Sequence, residues 1–316
     1  MFYFKESNKS TMFHISKDLW NLIKIHSTCQ TQILLRSCNK ELSDIKITKL
    51  LSKKIKQMNH NVIAREIARN PNLRIFSIHN HIKGFRTTLL KKLPKHIHIL
   101  KVHIYDRALY SFPFRSFQIN RLYVTGTHNI YDKSTLLIGD EFQGIKHLSF
   151  EKWPLCFSDK TDTSLVELEL INCVVFLKHG TNIFVNLKSL TLIDCSFGVG
   201  IWEITPDTLK CLQTLKLNKI NTSKIPFLPK LKVLEIKKCP ISSILSTNLE
   251  TLTIEKNTVP LSIKNLDLKN LIIKECKYGI GYDFPKNLSF LKIVPYEKNL
   301  KNKQIDNMSP LIYIKQ

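Results

Sequence analysis

One nine-residue pattern constrains this chain more than any other feature. It is "LKSLTLIDC" at 187–195, or LxxLxLxxC. The pattern recurs as "LVELELINC" (165–173), "LKVLEIKKC" (231–239) and "LKNLIIKEC" (268–276). "LETLTIEKN" (249–257) puts Asn in the Cys place, and "LQTLKLNKI" (212–220) and "LSFLKIVPY" (288–296) are looser copies. Upstream, "LRIFSIHNH" (73–81), "IHILKVHIY" (97–105), "INRLYVTGT" (119–127) and "IKHLSFEKW" (145–153) complete a set of eleven, starting 18 to 26 residues apart.

Elementary energetics says what such a period does. In "LxL" the two apolar side chains project to one side of a short strand. The first and ninth residues turn inward at either end, so each copy offers about four apolar groups, worth ~1.5–3 kcal/mol apiece when buried. Ordering about twenty residues costs ~1–2 kcal/mol each. A single copy therefore cannot fold, and stacked copies must cover one another. Cys173, Cys195, Cys239, Cys276 and Asn257 share the ninth position. A small buried thiol is the expected occupant there, acting as filler and not as a nucleophile. The eight cysteines are spread singly with no CxxC pair, so neither a disulfide framework nor a zinc site is expected.

The pattern resembles leucine-rich repeats, whose period is about 20–29 residues. Its cysteine-bearing form is similar to the repeats of F-box proteins. The resemblance implies an α/β solenoid over 71–297, an arc of eleven parallel strands. Prolines in "KIPFLPK" and "DFPKN" imply extended or short helical return paths, and the longer copies leave room for a helical turn.

Residues 13–70 lack the repeat and read as helices. Ser16 caps "SKDLWNLIKIH", apolar residues of 29–45 fall near helical spacing, and "ITKLLSKKIKQM" and "NVIAREIA" continue until Pro71. "ISKDL" (15–19) and "LLRSCNKEL" (34–42) resemble the two motifs of an F-box, with Ser16 where that family has Pro and no Trp after Lys40. By this resemblance Ile15, Leu19, Ile23, Leu34, Leu35 and Cys38 dock on the adaptor of a cullin-type ubiquitin ligase, or support the docking surface. The expected organisation is a disordered stretch at 1–12, the helical F-box-like unit at 13–70, repeats at 71–297 and a cap or tail at 298–316. A divergent motif with Lys-, Ile- and Asn-rich composition suits a large DNA virus or a protist.

The net charge of +23 favours acidic partners. On the solvent-facing positions of the eleven copies, 15 Lys or Arg meet 8 Asp or Glu, and the sign alternates from copy to copy. A nucleic-acid channel would be a more uniform basic stripe with stacking aromatics. The concave face is thus expected to hold a target protein through Lys101, Tyr123, Glu151, Glu169, Thr191, Lys216, Glu235, Lys237 and Lys274, with nucleic acid the alternative partner. No GxxxxGK[ST], GxGxxG, HExxH or GxSxG motif occurs. "HNH" (79–81) reads as solvated histidines, and "HIHIL" (96–100) as alternation with His96 and His98 opposite Ile97 and Ile99. The expectation is a non-enzymatic, cofactor-free receptor, monomeric within its complex. It would be intracellular, since charges break the first apolar residues and no stretch nears the ~20 residues a membrane helix needs.

Overall fold

The computed structural model describes residues 3–6, 9–12, 49–52, 68, 75–79, 93–103, 114–126, 135–158, 164–177, 184–198, 208–263, 265–276, 284–294 and 311–314. They divide into two compact units. The first comprises Met1–Phe112 and Ser116–Ile119 and the second Pro113–Arg115 and Asn120–Gln316.

In the first unit, β1 (Tyr3–Glu6) and β2 (Lys9–Met12) pair antiparallel, within the stretch expected to be disordered. β3 (Lys49–Ser52), β4 (Ile75–His79) and β5 (Ile99–His103) pair in parallel, in that order. β3 corrects the sequence reading, which placed these residues in a helix. Its register sets Leu50 beside Phe76, the fourth residue of the copy at 73. Ile47, Leu50 and Leu51 suit a helix face as well as a strand start, and pairing with a neighbouring strand decides between them. "HIHIL" is corrected too. Ile97 is buried but Ile99 is half-exposed, because the strand begins at Ile99 and turns Leu100 and Val102 inward.

The second unit is a parallel β-solenoid. Nine strands pair side by side in chain order: β6 (Arg121–Thr125), β8 (His147–Glu151), β10 (Glu167–Ile171), β12 (Ser189–Ile193), β14 (Thr214–Asn218), β16 (Val233–Lys237), β18 (Thr251–Glu255), β19 (Asn270–Lys274) and β20 (Phe290–Val294). Each spans positions 3 to 7 of a copy, and every register joins like positions. β21 (Leu311–Ile314) then pairs antiparallel with β20.

The core is made of columns. Position 4 stacks Leu122, Leu148, Leu168, Leu190, Leu215, Leu234, Leu252 and Leu271, all buried. Position 6 stacks Val124, Phe150, Leu170, Leu192, Leu217, Ile236, Ile254 and Ile273 beside it. Strands about 4.8 Å apart keep like residues in contact along a column.

The return paths are strands more than helices. β7 (Leu136–Ile138), β9 (Pro154–Phe157), β11 (Val174–Leu177) and β13 (Ser196–Phe197) form a second parallel sheet, and β15 (Lys224–Ile225) pairs with β17 (Ser243–Ile244). Among the described residues the only multi-residue helical elements are two 3-10 turns, Phe114–Ser116 and Asp140–Phe142. Among the described residues the solenoid thus has almost no helix, where α/β character was expected. "PLCF" and "VVFL" directly follow the ninth position, and their β-branched and aromatic residues favour a strand. Leu155, Phe157 and Val175 turn inward from them.

A sharp corner separates the two sheets in each turn. The residue at position 8 is left-handed in seven consecutive copies: Lys152, Asn172, Asp194, Lys219, Lys238, Lys256 and Glu275, with φ between 49° and 60°. Its N–H donates to the position-7 carbonyl of the next turn, as Lys238 does to Glu255 at 2.8 Å. A left-handed non-glycine residue costs ~1–2 kcal/mol, so the corner is held by the ladder around it. Lys238→Gly removes that cost against ~0.5–1 kcal/mol of added unfolded-state entropy. Lys238→Val worsens it, because a β-branched side chain is poorly tolerated at positive φ. Urea titrations should place the Gly variant at or slightly above the parent and the Val variant about 1–2 kcal/mol below it.

Candidate functional site on the solvent-facing sheet face

Positions 3, 5 and 7 of β6 to β20 face away from the core and are mostly half-exposed. Because like positions stack, each row is a ladder of side chains. The named candidates fall on two such rows. Tyr123, Glu169, Thr191, Lys216 and Glu235 occupy position 5, and Glu151, Lys237 and Lys274 occupy position 7. Lys101 is an exposed residue of β5 in the first unit. Ile15, Leu19, Ile23, Leu34, Leu35 and Cys38 lie outside the described residues, as does the helical reading of 13–70 over 13–48, 53–67 and 69–70.

Much of the charge on this face is matched one turn apart. Lys216 Nζ meets Glu235 Oε1 at 2.8 Å, and Lys237 Nζ meets Glu255 Oε1 at 2.6 Å. At the rim, Glu250 takes Lys232 on one side at 3.0 Å and Lys269 on the other at 3.5 Å. The corners repeat the device with Lys219 and Asp194 at 2.6 Å and Lys256 and Glu275 at 2.9 Å. Exposed pairs contribute only ~0–1 kcal/mol each; their larger effect is on register, since a slipped turn would bring like charges together. The Lys237 ammonium, by its hydrogen bond first, holds the Glu255 carboxyl below the usual carboxylate range. A depressed pKa makes that contribution complete above the unfolded value and lost as pH falls through the folded one.

The face is not flat. Tyr123, His147, Leu148, Ser149, Glu167, Leu168, Glu169, Ser189 and Thr191 line a hollow of about 150 Å³ across β6, β8, β10 and β12. It exists because positions 3 and 5 carry small Ser149, Ser189 and Thr191 between Tyr123 and His147 on one side and Lys216 on the other. His147 Nδ1 stands 2.6 Å from Glu167 Oε2, and the Ser149 hydroxyl donates to Glu169 Oε2 at 2.8 Å. Sequence reasoning named three of the nine lining residues, Tyr123, Glu169 and Thr191. Ser149 and Ser189 were not among the candidates, because a run of small side chains is visible only once like positions are stacked.

The ninth position behaves as the composition of the copies implies. Cys173, Cys195 and Cys239 are buried, and six described cysteines are free. The Cys173 and Cys195 thiols each point at a carbonyl of the preceding strand, Phe150 O at 3.4 Å and Leu170 O at 3.3 Å. The Cys195 thiol beside it, and then burial, push the Cys173 thiol up, while the same contact with Cys173 lowers Cys195; burial raises Cys239 and Cys276. The three raised thiols are poor nucleophiles. Trp153 takes this slot after β8, and Asn257 takes it after β18.

Among the described residues no group of three or more His, Cys, Asp or Glu is placed to hold a metal, and no helix is long and apolar enough to cross a membrane. The second unit defines a repeat protein built as a parallel β-solenoid. Compared with family models and with curated proteins, the chain matches none.

Proposed function

We propose that the chain is a recognition scaffold: its concave sheet face holds a target protein, and its N-terminal segment presents that target to a cullin-type ubiquitin ligase. The observation that carries the first half is the ladder face, half-exposed rows of mixed polarity in fixed register, with a hollow at one place. Such a surface is preorganised, so little conformational entropy is lost on binding. Its charges run largely in opposite pairs, which suits a protein surface better than a phosphate backbone needing a continuous positive track. The second half rests on the order of motifs, F-box-like residues 15–42 ahead of cysteine-bearing repeats.

The test is affinity purification from eukaryotic cells of the full chain beside a Leu19→Asp, Leu35→Asp double variant, both checked by circular dichroism. The cullin adaptor should co-purify with the parent and fall at least tenfold with the variant. Adaptor absent from both, with other proteins still captured, would leave a target-binding scaffold without a ligase link.

A further inference from the structure

The pairing rule of the solvent-facing sheet face breaks at the hollow. Glu235, Glu250 and Glu255 each meet a lysine of an adjacent turn at the same position. Glu167 and Glu169 do not. Glu167 stacks between His147 and Ser189, and Glu169 between Ser149 and Thr191. No lysine or arginine stands at either position in the adjacent turns. Two carboxylates, two residues apart on β10 and so about 6.5–7 Å apart along one face, therefore border a depression in a chain whose net charge is +23. Glu169 Oε2 accepts from the Ser149 hydroxyl, and Glu167 Oε2 lies 2.6 Å from His147 Nδ1. Ser189, Thr191 and the ring of Tyr123 complete the walls.

We propose that this hollow receives an arginine side chain from the protein held on the concave face. Three carboxylates of this sheet, Glu235, Glu250 and Glu255, are set against a cation one strand away. At the hollow the adjacent turns supply no lysine or arginine, and among the lining residues only His147, beside Glu167, carries an ionisable nitrogen. A guanidinium fits better than an ammonium: its planar fork donates to both carboxylates, the serine and threonine hydroxyls accept its remaining N–H groups, and an aromatic ring offers a face. The volume of about 150 Å³ accommodates one such head group with its distal methylenes and not a folded element. The partner is thus an extended or loop segment of a protein presenting arginine. This rests on the reading of the concave face as a target-binding surface.

The test uses the full chain and a fluorescein-labelled octapeptide of alternating Arg and Gly, followed by polarisation at low and physiological salt. Alternating Lys–Gly and Glu–Gly octapeptides are the comparisons. The Arg peptide should bind despite the overall positive charge, the Lys peptide several-fold more weakly. The Glu167→Gln, Glu169→Gln double variant, nearly isosteric, should lose at least tenfold for the Arg peptide, while Glu275→Gln, at a corner outside these rows, keeps parent affinity. No binding of the Arg peptide, or equal binding by the double variant, would overturn the assignment. Cellular targets captured equally by parent and double variant would also overturn it while leaving the wider reading of the face standing.

Discussion

Trp153→Ala should lower the stability of the second unit by about 3–5 kcal/mol, the range for removing a buried large aromatic side chain. Among the described residues Trp153 is the largest that is fully buried, 2% exposed, in the ninth position that neighbouring turns give to cysteine. Its carbonyl accepts the N–H of Val174, so β9 and β11 are tied through the backbone that carries it. The cavity left would open beside Cys173, and stiff columns of stacked leucines cannot collapse into it without shifting whole turns. Thermal unfolding followed by far-ultraviolet circular dichroism should show a drop in Tm, at about 2–4 °C per kcal/mol for a unit of this size. A Trp153→Phe variant should fall between. A Tm within 2 °C of the parent for Trp153→Ala would mean that the slot does not carry the stability its burial implies.

Asn257→Leu is the second large loss, about 3 kcal/mol, and it arises from hydrogen bonding and not from volume. The Asn257 side chain is buried and fully employed. Its amide nitrogen donates to Ile241 O at 2.9 Å and Val259 O at 2.8 Å, and its oxygen accepts from Ile241 N at 3.2 Å. Leucine would match the size and orphan the buried N–H and C=O of Ile241 and the part-buried C=O of Val259, at ~1–3 kcal/mol for each buried group that finds no other partner. Asn257→Cys should cost less, since a thiol in this slot donates to carbonyls elsewhere in the chain, as Cys239 does to Lys237 O at 3.2 Å. Urea unfolding gives the order: parent, Cys, Leu. A leucine variant as stable as the cysteine one would show that apolar filling alone is what the slot requires.

How much of this was readable in advance depends on which interactions fix each element. The nine copies of the second unit were marked by their own side chains, because burial of positions 1, 4 and 6 is a property of the local pattern repeated. The second sheet was not marked. Pro154–Phe157 and Val174–Leu177 are four-residue runs that either a strand or a tight turn accepts, and only stacking on the neighbouring turn selects the strand. β3 failed for a related reason: Ile47, Leu50 and Leu51 satisfy two periodicities, and Ile75–His79 settles the matter from 26 residues away. At the site, the candidates on positions 5 and 7 followed from alternation, whereas the hollow depends on Ser149, Ser189 and Thr191 being small together. The seven left-handed corners were invisible, since lysine at four of them carries no conformational signal of its own.

The direction of β21 has a consequence for how copies of this molecule meet. A stack of like-facing strands is open-ended: its last member offers the same donor and acceptor pattern that every earlier one used, so a second copy adding there would extend the stack and leave a fresh terminus to grow from. Leu311–Ile314 runs the other way along Phe290–Val294. It consumes that template and presents an edge of opposite polarity, on which another copy's first turn finds no continuation of the pattern. Four residues thus act as a chain terminator, in the polymer chemist's sense, against head-to-tail fibre growth.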